Sequence, residues 1–120
     1  MGTRVLVADD SSTMRKIILR SLQAVGVTEV TEASDGSEAV GLFNPGEFDM
    51  ILTDWNMPGK TGLEVVEEIR GQDKEVPIIM VTTEAEKGRV VQAIQAGVSD
   101  YLVKPFTADT LREKLQKHGC

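Results

Sequence analysis

The sequence predicts an α/β fold, a parallel sheet with helices on both faces, and three observations carry that expectation. Short apolar, β-branched runs alternate five times with longer segments of helical period. The central runs are apolar without alternation, as in strands covered on both faces. Polar and charged residues cluster immediately after the ends of those runs, where open parallel sheets hold ligands. At 120 residues and 41% apolar content, the chain has the length and composition of one folded domain.

Val5–Ala8 reads as a buried first strand. Met14, Ile17, Ile18, Leu22 and Val25 follow helical spacing up to Gly26, with Ser11 or Ser12 available as N-cap. Glu29–Glu32 is a more polar strand, expected at a sheet edge. Asp35-Gly36 precedes a short helix carrying Ala39, Val40 and Phe43, which Asn44-Pro45-Gly46 ends. Phe48–Thr53 is the third strand, and Leu63, Val66 and Ile69 stripe the third helix. Pro77 opens the strand Ile78–Val81, a position where its missing N–H is tolerated. Val90, Val91 and Ile94 mark a fourth helix ending at Gly97. Tyr101–Val103 is the fifth strand, and Leu111 and Leu115 mark the last helix. Internal repeats, linkers and low-complexity segments are lacking.

Charge and composition exclude several functions. Thirteen basic against 19 acidic residues leave a net charge of −6, unsuited to a nucleic-acid backbone. Trp55, Tyr101, Phe43, Phe48 and Phe106 are the whole aromatic set, too few for base-stacking platforms. A lone cysteine, Cys120, forms no intrachain disulfide, and the start of the chain carries no signal-peptide pattern. No apolar run approaches the roughly 20 residues of a membrane helix. These features lead us to expect a cytoplasmic location without membrane insertion.

The chemistry lies at the strand ends. Asp9-Asp10 follow the first strand, Asp54 the third, Thr82-Thr83 the fourth and Lys104-Pro105 the fifth. If the first and third strands are neighbours, Asp9, Asp10 and Asp54 share one pocket. Two carboxylates at about 4 Å repel by on the order of 4 kcal/mol at an effective dielectric of 20. One is then protonated, or a cation sits among them. An all-oxygen set suits a hard cation, and Mg²⁺ held by carboxylates, waters and a phosphate fits best. Lys104 brings a compact positive charge and Thr82 a hydroxyl to the same rim. Carboxylates, Mg²⁺, ammonium and hydroxyl are the parts needed for phosphoryl transfer to a carboxylate nucleophile.

Four separated segments, Val7–Arg15, Asp54–Pro58, Val81–Ala85 and Tyr101–Thr107, resemble the receiver domain of two-component response regulators. More narrowly they are similar to the single-domain chemotaxis regulators. The resemblance spans nearly the whole chain and implies one receiver domain over residues 1–120. It implies a flavodoxin-like, doubly wound (βα)5 fold with strand order 2-1-3-4-5. It makes Asp54 the phosphoacceptor, with Mg²⁺ held by Asp9, Asp10, Asp54 and the backbone carbonyl of Asn56. Thr82 becomes the switch hydroxyl, Lys104 the cation on the phosphoryl group, and Tyr101 an aromatic whose inward position accompanies activation. Asn56 and Glu84 become residues that tune hydrolysis of the aspartyl phosphate, and the Lys104-Pro105 bond is expected to be cis.

The implied function is a phosphorylation-activated switch rather than a turnover enzyme, monomeric and charged by a histidine kinase. Its implied partners include a flagellar motor switch protein and a phosphatase, met through the fourth helix, fifth strand and fifth helix. A phosphorelay intermediate, or a receiver cut from a larger regulator, would carry the same residues. A haloacid-dehalogenase-like phosphatase also uses Asp and Mg²⁺, but wants its nucleophile after the first strand. Thr83 and the Gly59–Gly62 loop depart from the usual receiver pattern. Trp55 is expected to be an exposed loop residue or part of a partner surface. His118 reads as a solvated tail residue, and Asp35, Asp49, Asp73, Asp100 and Asp109 as turn or cap residues.

Overall fold

A computed structural model describes residues 3–83, 87–104 and 106–119. Ten elements alternate along the chain. They are β1 (Arg4–Ala8), α1 (Ser12–Ala24), β2 (Glu29–Ala33), α2 (Gly36–Leu42), β3 (Met50–Thr53), α3 (Gly62–Arg70), β4 (Ile78–Thr82), α4 (Lys87–Ala96), β5 (Asp100–Val103) and α5 (Ala108–Lys117). The sheet is wholly parallel in the order β2-β1-β3-β4-β5. This is the implied order, and β2 is the expected edge.

Alternation along each strand splits the core into two layers. Val5 and Val7 of β1, Met50 and Leu52 of β3, and Ile79 and Val81 of β4 face α1 and α5, against Ile18, Leu22, Leu111 and Leu115. Leu6, Ile51, Ile78 and Met80 face the other way, against Ala39, Val65, Val66, Ile69 and Ala93 of α2, α3 and α4 and Phe43 at the end of α2. Strands β3 and β4 are buried along their whole length, which explains their unbroken apolar sequence.

Helix starts follow side-chain chemistry. Ser11 caps α1, accepting the Met14 N–H, and Asp35 caps α2, accepting the Glu38 N–H. Thr61 and Glu64 form a reciprocal capping box at α3, and Thr107 caps α5. Gly26, at φ +90°, supplies the left-handed turn that ends α1. The third strand is shorter than the predicted Phe48–Thr53. The Asp49 carboxylate takes the Arg4 N–H at 2.8 Å in place of a backbone carbonyl, and Phe48 turns to stack on Phe43 with ring centroids 6.3 Å apart.

Candidate phosphoryl-transfer site

The order β2-β1-β3 places the carboxyl ends of β1 and β3 side by side, with Ala8 opposite Thr53. The next residues, Asp9 and Asp54, are therefore neighbours although 45 positions separate them. One carboxylate oxygen from each of Asp9, Asp10 and Asp54 lies within 4.8 Å of the others. Asp9 is buried, its side chain 2% exposed, Asp54 is 13% exposed, and Asp10 faces solvent.

The Asp9 and Asp54 carboxylates are held by chain geometry. The Asp9 Oδ1 accepts the Ser11 N–H at 2.9 Å, and its carbonyl accepts a bond from Arg15, whose guanidinium also pairs with Glu32 at 3.1 Å. The Asp54 Oδ1 accepts the Trp55 N–H at 2.8 Å. Lys104, on the segment after β5, bridges the two: its Nζ is 3.0 Å from Asp9 Oδ2 and 3.5 Å from Asp54 Oδ1. With a side chain only 10% exposed, this is no ordinary surface lysine.

Burial pushes the Asp54 carboxyl above its ordinary range. The Lys104 ammonium opposes that shift and the Asp9 carboxylate reinforces it. A pocket that holds three carboxylates against one ammonium retains excess negative charge, which a hard divalent cation neutralises. The donor set is all oxygen and part of it is open to solvent, so the residues fit such an ion.

Thr82 ends β4 and is buried, one strand over from Asp54. Tyr101, on β5, packs against the α2–α4 side of the core with its hydroxyl oxygen buried. Asn56 is exposed on the loop after β3. Thr83 is exposed just beyond the end of β4. Glu84 and Pro105, with the geometry expected of the Lys104-Pro105 bond, lie outside the described residues.

Three expectations are corrected. Trp55 is neither exposed nor a surface contact: it is 5% exposed, within the core, because the loop after β3 folds back under α3. His118 is not a solvated tail residue, nor is Asp100 a simple turn residue. Asp100 Oδ2 lies 2.9 Å from His118 Nε2, and Lys114 and Lys117 also pair with this carboxylate. The sequence reading gave no role to Gly62. A Cβ there would lie 2.1 Å from the Asp54 carbonyl oxygen, so only glycine lets α3 approach the loop after β3 this closely. Its signal is visible as a glycine at the first position of a capped helix. Arg15 and Arg89, both near the site, carry no sequence signal that separates them from surface arginines.

The fold and the acid pocket define a phosphorylation-activated two-component switch, and comparison with known proteins agrees. Residues 5–116 match the response regulator receiver domain, and the chain belongs to that family. It is 46% identical over 116 residues to the chemotaxis protein CheY of Pseudomonas aeruginosa, covering 95% of this chain and 94% of that protein. It is 49% identical over 116 residues to a CheY homologue of Campylobacter jejuni, covering 94% and 89%. The crystal structure of Vibrio cholerae CheY4 superposes with a TM-score of 0.89 at 39% identity, covering 98% of both chains. The chain is thus a CheY-like receiver, and its aspartate cluster is the place where receivers bind a divalent metal.

Proposed function

We propose that residues 1–120 act as one receiver domain in which Asp54 accepts a phosphoryl group from a kinase phosphohistidine. The observation that carries this reading is the convergence of Asp9, Asp10 and Asp54 with Lys104 bridging Asp9 and Asp54. A carboxylate oxygen of Asp54 forms the new P–O bond as the P–N bond to the donor histidine breaks. Mg²⁺ would be held by Asp9, Asp10, Asp54 and the Asn56 carbonyl, and would neutralise charge on the carboxylates and the phosphoryl oxygens.

The chain's own residues do the rest. The Trp55 N–H orients the Asp54 carboxylate, and the Asp9 carboxylate keeps Lys104 at the rim, ready to contact the transferred group. The product carries a charge of roughly −1.5 to −2. Lys104 and the Thr82 hydroxyl bind that charged state better than the free carboxylate, which shifts the population toward the active form. Tyr101 is the aromatic that follows Thr82, and its inward position here fits that role. By resemblance to the receiver pattern, Asn56 and Glu84 tune hydrolysis of the acyl phosphate.

The output is binding rather than turnover of a substrate. Val91 and Ile94 of α4 and Val103 of β5 are exposed apolar residues, Ile94 at 61%, on the side of the molecule that carries Tyr101. The named relatives are chemotaxis proteins, so the reading places this monomeric, cytoplasmic switch between a chemotaxis histidine kinase and the flagellar motor switch, with a phosphatase resetting it. Among the described residues no helix is long and apolar enough to cross a membrane. Intact-mass analysis with a small-molecule phosphodonor and Mg²⁺ should show one added phosphoryl group. Equal labelling of Asp54→Asn would overturn the assignment.

A further inference from the structure

Trp55 is committed on every side. Its N–H donates to Asp54 Oδ1 at 2.8 Å and its carbonyl accepts the Gly62 N–H at 2.7 Å. Its indole is buried, and the Arg89 guanidinium lies over the ring with Cζ 5.1 Å from the centroid. At that distance a cation is attracted by the ring's quadrupole, more strongly where water is excluded. Arg89 lies in the first turns of α4, a helix lightly anchored in the core. Ala93 is its one fully buried side chain among those described, and Val91 and Ile94 point into solvent.

We propose that Arg89 is a positioning residue that couples the phosphorylation state of Asp54 to α4 through Trp55. This rests on Asp54 being the acceptor. In the unmodified chain the guanidinium holds the first turns of α4 on the acceptor loop. A phosphoryl group at Asp54 alters the acceptor of the Trp55 N–H and adds negative charge one residue away. Both changes shift the indole and draw on the same cation, so the start of α4 responds. Neighbouring Gly88 presents no side chain to resist that movement.

The test compares wild type, Arg89→Ala and Arg89→Lys, each unmodified and each carrying beryllium fluoride with Mg²⁺ as the phosphoryl mimic. Amide hydrogen exchange in α4 and iodide quenching of Trp55 are the readouts. In unmodified Arg89→Ala, exchange at the start of α4 should rise roughly two- to fivefold, the equivalent of about 0.5–1 kcal/mol at 1.4 kcal/mol per tenfold. Quenching should rise with it. The difference in α4 exchange between the two states should shrink, and Arg89→Lys, which keeps the cation, should recover part of it.

Intact mass after small-molecule phosphorylation of wild type and Arg89→Ala keeps the two readings apart. Labelling of both proteins with an undiminished α4 response in Arg89→Ala overturns the coupling alone. Absence of label from both overturns the acceptor assignment and the coupling with it.

Discussion

At Asp54 two demands conflict, since the proposed phosphoacceptor, which must be ionised to act as a nucleophile, sits where burial and Asp9 disfavour its charge. Its folded pKa is raised above the ordinary 3.8. The carboxyl therefore supports the fold when protonated, fully so below 3.8, and that contribution is lost as pH rises through the folded value. Asp54→Asn removes the charge. In chelator at pH 7 the variant should unfold at a higher urea midpoint than wild type, with the gap closing as pH falls through the carboxylate range. A lower midpoint at neutral pH would show that Lys104 outweighs burial and Asp9. Lys104, between Asp9 and Asp54, was legible in the sequence as a cation at a strand end; its contact with Asp9 was not, because 95 residues separate the two.

Between elements, small residues and ion pairs decide how firmly the site's supports are held. Gly88 is exposed in α4 and a Cβ there meets nothing within 4 Å. Gly88→Ala should raise stability by about 0.5–1 kcal/mol through helix propensity and reduced unfolded-state entropy. Gly62→Ala should lower it by more than about 1 kcal/mol, because the new Cβ overlaps the Asp54 carbonyl; urea unfolding measures both. A second tie joins β5 to α5 through Asp100. Burial raises its carboxyl, but bonds from Lys114, His118 and the Tyr101 N–H outweigh that and hold it well below the usual carboxylate range. The sign is opposite to that at Asp54: this stability is present above 3.8 and fades as pH falls through the folded value. Asp100→Asn should lower the thermal midpoint at pH 6, with the deficit narrowing only in strong acid.

For the molecule as a whole, metal binding and folding are linked. A divalent ion that binds only the folded pocket adds stability by mass action, about 2.7 kcal/mol at one hundred times its Kd. Mg²⁺ should raise the thermal midpoint of wild type in a concentration-dependent way and do so far less in Asp9→Asn. Trp55, packed beside Asp54, should report the same titration by its fluorescence. A midpoint that ignores Mg²⁺ would show that the aspartate cluster does not take this ion.

Strands, helices, caps and acidic candidates were readable one segment at a time, because side-chain period, N-cap chemistry and burial pattern act over a few residues. Ser11, one of two candidate caps, and Asp35 cap where local chemistry allows it. Alternation of elements implied a parallel sheet, but the neighbour of β1 depends on which faces bury each other across the chain, and no local pattern encodes that choice. Placing β1 between β2 and β3 is what gathers Asp9, Asp10 and Asp54, puts Lys104 between two of them, and buries Trp55 beneath Arg89. The sole tryptophan looked like a surface loop residue because nothing in Asp54-Trp55-Asn56 records the return of α3 over it. Only packing between distant segments turns those separate residues into one pocket with one charge state.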